Sequence, residues 1–255
     1  MREGHRWSRG EILHWLLEDL PRDALVGFDM SMSFAFADCG AYFPGWERSP
    51  ANARGLWALV EELTAAEQHL AATTFADDPG ASPHFRRHGG REGAAFGAEG
   101  TAGGRGRLRQ TEHAQARAAC RPYSNFNLVG AAQVGKGSMA GMRLLHRLSG
   151  QIAIWPFDPL PESGSVLVEI YTTMAAIAGG RIAARSKIRS TAELNIALGV
   201  LGSRPVAETG PIDDHSSDAL LSAAWLRTVA HDPELWNPPG LAEVAQTEGW
   251  TFGAL

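Results

Sequence analysis

Two short apolar segments are the strongest indication of the fold: Ala24-Leu-Val-Gly-Phe-Asp29 and Ser165-Val-Leu-Val-Glu-Ile-Tyr171. Neither alternates apolar with polar residues, which is typical of strands buried on both faces of a parallel sheet. Each segment has an acidic residue near its carboxyl end, Asp29 in the first and Glu169 in the second. Because the carboxyl ends of parallel strands lie at one edge of a sheet, we expect both carboxylates at that edge.

Predicted helices alternate with these strands. Ser8 and Glu11 form a capping box before a first helix that ends at Pro21. The apolar spacing predicts further helices from about Pro50, over Ser138–Leu148, from Ser190 and over Asp213–Val229, and a third strand over Gln151–Trp155. Strands that alternate with helices in this way predict an α/β fold, and we expect one domain over all 255 residues.

The composition is that of an ordinary globular chain: 44% of the residues are apolar, 20% are charged and the net charge is −5. No apolar run is long enough to cross a bilayer, and the amino terminus lacks the apolar core of a secretory signal. We therefore expect no membrane partner and a cytoplasmic location. Cys39 and Cys120 form no CxxC motif, and we expect two free thiols.

Residues 77–122 lose periodicity and are rich in Gly and Arg, which predicts a mobile insertion over one face of the domain. Eight arginines and three glutamates lie between His84 and Arg121, a local excess of five positive charges. Such an excess favours contact with a phosphate backbone, so nucleic acid is a candidate partner. The candidate contacts are Arg86, Arg87, Arg105, Arg107 and Arg109.

Acidic residues crowd the start of the Asp213–Val229 helix. If this turn packs at the same sheet edge, Asp214, His215 and Asp218 join Asp29 and Glu169. Converging carboxylates repel one another, and a divalent cation with oxygen ligands relieves the repulsion. The pattern predicts a Mg²⁺ or Mn²⁺ site with Asp29, Glu169, Asp214 and Asp218 as ligands, which activates water against a phosphodiester. His215 is a candidate proton shuttle, and the alternative for it is a plain surface histidine.

A glycine-rich segment, Gly130 to Ser138, follows a strand-like run and precedes a helix, as a phosphate-binding loop does. The loop pattern requires Ser or Thr directly after Lys136, and position 137 is Gly. Nucleotide binding at this segment is therefore the weaker alternative.

Four motifs occur in order along the chain: Val26-Gly-Phe-Asp29, Val168-Glu-Ile-Tyr171, Asp213-Asp-His-Ser-Ser-Asp-Ala-Leu220 and Glu248-Gly-Trp-Thr-Phe-Gly253. In these motifs the sequence resembles an uncharacterised family of predicted RuvC-like nucleases with a ribonuclease H-like fold, from about residue 8 to the C-terminus outside the insertion. The resemblance implies a mixed sheet flanked by helices, with Asp29, Glu169, Asp214, His215 and Asp218 around a metal site. The nuclease activity in that family itself rests largely on fold analogy.

The start of the chain departs from that pattern. A ribonuclease H-like fold opens with an antiparallel three-stranded meander whose first strand carries the first acid, whereas this sequence opens with a helix. Either the meander is missing, or Asp29 is not the residue that the pattern assigns. Without the meander the sheet has an uncovered edge and the metal site lacks a ligand. The function expected is a metal-dependent nuclease or an inactive descendant of one; the alternative is a non-catalytic protein that binds nucleic acid or protein.

Overall fold

The computed structural model describes residues 7–89, 91–97, 106–118, 120–130, 133–183 and 186–255. Its centre is a parallel sheet of three strands, β1 (Leu25–Phe28), β4 (Ala153–Ile154) and β5 (Val166–Glu169), with β5 in the middle. Two further strands, β2 (Arg86–Arg87) and β3 (Arg91–Glu92), form a separate antiparallel pair. The α/β class and the two strands that most strongly indicate the fold are confirmed, whereas the strand predicted over Gln151–Trp155 is reduced to two residues.

Helices flank the central sheet. Their bounds are α1 Arg9–His14, extended by a wider turn over Trp15–Asp19, α2 Ala53–Thr64, α3 Gln110–Arg117, α4 Val134–Leu148, α5 Thr172–Ala178, α6 Thr191–Val200, α7 Asp214–Val229, α8 Pro233–Trp236 and α9 Leu241–Val244. Within the described ranges, no helix is both long enough and apolar enough to cross a membrane.

Capping side chains fix where these helices begin. The capping box of Ser8 and Glu11 is present at α1, and the Asp213 side chain accepts a hydrogen bond from the Ser216 N–H at α7. Ser190 caps α6 in the same way. Each cap satisfies an N–H group that has no partner inside its helix, so these starts are readable from sequence.

Two apolar cores lie on opposite faces of the sheet. Leu167 packs into the first core with α2 and α4, whereas its neighbour Val168 packs into the second core with α5, α6 and α7. Successive strand residues point to opposite faces, which is why a strand buried on both faces is uniformly apolar. Gly27 lets α7 approach β1 closely, since a Cβ at this position would lie 2.9 Å from Leu226 Cδ1.

The described part of the predicted insertion is not a loose layer over one face. Arg107 and Arg109 are 7% and 1% exposed, and four residues of α3 are buried. The guanidinium groups of Arg107 and Arg109 bind acids and carbonyls of the domain, so this segment is part of the core rather than an addition to it. Arg105 lies outside the described residues.

The glycine-rich segment also differs from its prediction. The helix α4 begins at Val134 rather than Ser138, so Lys136 lies in the first helical turn and not in a loop. The run before it forms one isolated bridge, Arg86 to Asn127, and no strand in the part of the chain described. A phosphate-binding loop follows a strand, and no strand directly precedes this helix in the described residues.

Candidate functional site at the carboxyl edge of the sheet

Asp29 and Glu169 lie at the carboxyl ends of two neighbouring parallel strands. In the parallel register of β1 and β5, Phe28 pairs with Glu169, and Asp29 follows directly. The start of α7 lies beside these two residues. Asp218 of α7 lines the same groove as Asp29, and its charge contributes to the pKa of Asp29. Asp29, Glu169 and Asp218 therefore lie near one another, since the charges of Glu169 and Asp218 both act on Asp29; their use as a metal or catalytic site stays a prediction.

Glu169 is 3% exposed and is held by a bidentate ion pair with Arg109. Arg109 Nη2 donates to Glu169 Oε1 at 2.5 Å, and Nη1 donates to Oε2 at 2.8 Å. The Thr251 hydroxyl donates to Oε1 at 2.6 Å, and the Met32 N–H donates to Oε2 at 2.8 Å. Both carboxylate oxygens therefore already have two donors each.

Arg109 is the centre of a buried network. It also binds Glu112, with Nη2 to Oε1 at 2.6 Å, and its Nη1 donates to the Glu248 carbonyl at 3.1 Å. Burial works against its charge, but Glu112 and Glu169 outweigh burial and hold the pKa of Arg109 well above its usual value. Burial raises the pKa of Glu112, and the charge of Arg109 opposes that rise.

The C-terminal motif at Glu248 supports this network. Glu248 Oε1 accepts hydrogen bonds from the N–H groups of Phe36 and Ala37, and Oε2 accepts one from Gln110 N–H at 2.6 Å. Gln110 is the first residue of α3, so Glu248 ties the start of that helix to the loop after β1. The role of this buried acid is to hold two segments of backbone.

The acids of α7 face a lysine. Lys187 Nζ lies 3.4 Å from Asp218 Oδ2 and 3.5 Å from Asp214 Oδ2, and Arg189 also pairs with Asp214 at 2.8 Å. Burial lowers the pKa of Lys187, but the charges of Asp218 and Asp214 outweigh burial and raise it. His215 is exposed and lines the same groove as Asp218.

Asp29 lies where two depressions meet. One is a polar cleft of about 430 Å³ that Glu169, Tyr123 and Lys187 also line. The other is a mostly apolar groove of about 760 Å³ along β1 and α7. Desolvation raises the pKa of Asp29, the Thr172 N–H opposes the rise by donating to the carboxylate, and the charge of Asp218 adds to it.

The predicted metal site can be tested against these contacts. Within the described ranges, no group of three or more His, Cys, Asp or Glu side chains is arranged to hold a metal ion. Glu169 is engaged by Arg109, and Asp214 and Asp218 are engaged by Lys187. Three of the four acids, Glu169, Asp214 and Asp218, therefore pair with cations of the chain itself, and as a set the four do not fit a Mg²⁺ or Mn²⁺ site.

The arginines predicted to contact nucleic acid have partners within the protein. Arg107 binds Asp38 and the carbonyls of Ala35, Ala41 and Tyr42, and with Arg109 it is buried, so neither can contact a phosphate backbone. Arg86 lies 3.4 Å from Glu92, and Arg87 lies 2.8 Å from Asp77. The sequence shows the excess of arginine, but not that these side chains have acidic partners.

Sequence reasoning missed Arg109 and Lys187 as the cations of the site. One signal pointed to Arg109: an acid inside an apolar strand needs a buried partner.

Comparisons with protein families, curated proteins and solved structures gave no match for this chain. The interpretation of the site therefore rests on the geometry of its own residues.

Proposed function

We propose that this protein is a non-catalytic protein-binding protein on a ribonuclease H-like α/β framework, comparable to an inactive descendant of a metal-dependent nuclease. The framework is suggested by the parallel strands, the helices on both faces and the acids at the carboxyl edge. The carrying observation is the bidentate pair of Arg109 with Glu169, which takes the central carboxylate away from any metal ion.

The energetics support this assignment. A divalent ion at Glu169 would have to displace a guanidinium that also holds Glu112 and the Glu248 carbonyl. Removing one partner from a buried ion pair costs about 3–5 kcal/mol, because the other charge stays buried without compensation. Metal binding at Glu169 therefore competes with the stability of the fold.

A protein partner is favoured over nucleic acid by the charges. Arg107 and Arg109 are buried, Arg86 and Arg87 have acidic neighbours, and the whole chain carries a net charge of −5. Affinity for nucleic acid depends mainly on free cations that neutralise phosphates. The cytoplasmic setting proposed for this function is consistent with two free cysteines, Cys39 and Cys120.

A manganese titration of thermal stability tests the proposal. Because a ligand that binds only the folded state raises its Tm, we expect no metal-dependent rise for the wild type or for Asp218→Asn. We also expect no manganese-dependent cleavage of single- or double-stranded DNA or RNA. A rise of several degrees in the wild type that is lost in Asp218→Asn would overturn the proposal.

Metal-dependent phosphodiester hydrolysis is the second candidate, favoured by one observation. The pKa of Asp29 is raised by desolvation and by the charges of Asp218 and Glu169, and a cation near Asp29 and Asp218 would relieve this. In that case the manganese-dependent rise and cleavage would both depend on Asp218, so the same titration separates the two candidates.

A further inference from the structure

The strand β1 lies at an edge of the sheet and has an unpaired side. Val166 N–H donates to the Ala24 carbonyl and Ile170 N–H donates to the Phe28 carbonyl. In a parallel ladder the groups that face one neighbour belong to alternate residues, so Leu25 and Gly27 direct their N–H and C=O groups away from β5. Within the described ranges, these four backbone groups have no protein partner.

This free side forms the floor of the apolar groove. One wall is the helical segment that contains Trp15 and Leu20, and the other wall is α7 with Ala219 and Ala223. Every residue of β1 is only half-buried, whereas three of the four residues of β5 are buried. An edge strand with free hydrogen-bonding groups is a template for another strand.

One end of the groove is acidic. Asp29, Asp218 and His215 line it there. Asp218 pairs with Lys187, whereas Asp29 makes no direct ion pair with any residue in the described part of the chain; the charge of Lys187 and the Thr172 N–H act on Asp29 more weakly than the burial that raises its pKa. A positively charged side chain at this end would therefore give the Asp29 carboxylate a direct ion-pair partner.

We infer that this groove binds an extended segment of a partner protein, which adds a strand to β1 and places a Lys or Arg side chain beside Asp29. The backbone groups of Leu25 and Gly27 bind the backbone of the segment, and its alternate apolar side chains contact the apolar walls. The inference rests on the proposed function as a protein-binding protein and names the chemistry of the partner segment.

The shape of the groove favours a single extended chain over a second copy of the protein. The β1 edge lies between two helical walls, and a second copy would carry the same walls on both sides of its own edge. Two recessed edges cannot approach within the roughly 4.8 Å that separates paired strands. A lone peptide segment has no such walls.

The test uses a fluorescein-labelled peptide of alternating valine and threonine, with lysine at both ends. We expect saturable binding by fluorescence anisotropy, about tenfold or more weaker binding when glutamate replaces both lysines, and loss of binding when the peptide backbone is N-methylated at alternate residues. Hydrogen exchange gives the direct readout: peptide binding slows the amides of Leu25 and Gly27, whereas Val26 and Phe28 are already bonded to β5.

Two variants on one helix provide a matched pair. Ala223→Gln extends a side chain into the groove from an exposed position, whereas Leu220→Gln changes an exposed residue of α7 that does not line the groove. Both substitutions keep good or moderate helix formers, so the fold should persist. We expect Ala223→Gln to abolish peptide binding and Leu220→Gln to retain it.

Three results would overturn the inference. The first is no saturable binding up to about 1 mM peptide, which is the weak end of specific affinity. The second is binding without slower amide exchange at Leu25 and Gly27, and the third is a dimer that forms without peptide and that Ala223→Gln converts to a monomer. These failures are distinct from failure of the proposed function. A manganese-dependent rise in Tm overturns the proposed function whatever the peptide does, and absent peptide binding leaves the result with manganese unchanged.

Discussion

Replacing Arg109 with Met tests the buried network directly. The substitution removes the guanidinium and leaves Glu169 and Glu112, 3% and 4% exposed, without their cation. Breaking a buried ion pair by removing one partner costs about 3–5 kcal/mol of unfolding free energy. For a chain of this size each kcal/mol corresponds to about 2–4 °C in Tm, so Arg109→Met should lower the Tm by roughly 6–20 °C.

The assay is urea and thermal unfolding followed by circular dichroism for the wild type, Arg109→Met, Glu169→Gln and the double variant. Because the two residues are in direct contact, the double variant should be more stable than the sum of the single effects predicts, by about 0.5–3 kcal/mol. Arg147→Met is the matched control: Arg147 also pairs with a glutamate, Glu61, but is 43% exposed, and its loss should cost about 0–1 kcal/mol.

The pH dependence gives a second signature of the same variant. Burial raises the pKa of Glu112, and without Arg109 no cation opposes that rise. The charged form of Glu112 then destabilises the folded state at pH 7, and protonation removes this cost as the pH falls. The deficit of Arg109→Met should therefore shrink in acid. A loss below about 1 kcal/mol, or strict additivity with Glu169→Gln, would refute the role assigned to Arg109.

Two further predictions follow from buried and solvent-facing charges. Arg107→Met should cost about 1–3 kcal/mol in urea unfolding, because the buried carbonyls of Ala35 and Tyr42 lose their donor while Asp38, 35% exposed, can be solvated. Arg86→Met should change stability by less than about 0.5 kcal/mol, and equal losses would contradict the integration of this segment into the core. Asp29 has a folded pKa above its unfolded value of about 3.9, so its charge destabilises the folded state at pH 7 and not at pH 3. Asp29 is exposed, so solvent screens its charge and Asp29→Asn should raise the Tm only slightly at pH 7 and leave it unchanged at pH 3; a lower Tm at pH 7 would show that this carboxylate stabilises the fold.

Local patterns in the sequence predicted much of the fold. The apolar runs that end at Asp29 and Glu169 became the parallel neighbours β1 and β5, because a strand buried on both faces can contain few polar residues. The side chains of Ser8 and Asp213 bind backbone N–H groups three residues on, so these helix starts were also readable.

The partners of the acids could not be predicted in the same way. Arg109 and Glu169 lie 60 positions apart, and nothing in a single sequence specifies which of its arginines reaches a given acid. The Gly/Arg-rich composition around Arg107 resembled a solvent-exposed loop, yet this side chain is buried on four oxygen-bearing partners. The short strand β4 was predicted too long because its apolar neighbours pack as turns.

Cations of the chain itself, and not metal ions, neutralise Glu169, Asp214 and Asp218 at the carboxyl edge. The direct measurement is the electron paramagnetic resonance signal of free Mn²⁺ in the presence of the wild type, the variant Lys187→Met/Arg189→Met, and that variant combined with Asp218→Asn. Lys187 lies within 3.5 Å of both Asp214 and Asp218, and Arg189 lies 2.8 Å from Asp214, so removing both cations leaves these carboxylates without an ion-pair partner. We expect an unchanged signal with the wild type, a loss of free Mn²⁺ with Lys187→Met/Arg189→Met, and recovery when Asp218→Asn is added. Stoichiometric loss of the signal with the wild type, abolished by Asp218→Asn alone, would contradict the neutralisation of these acids by the protein's own cations.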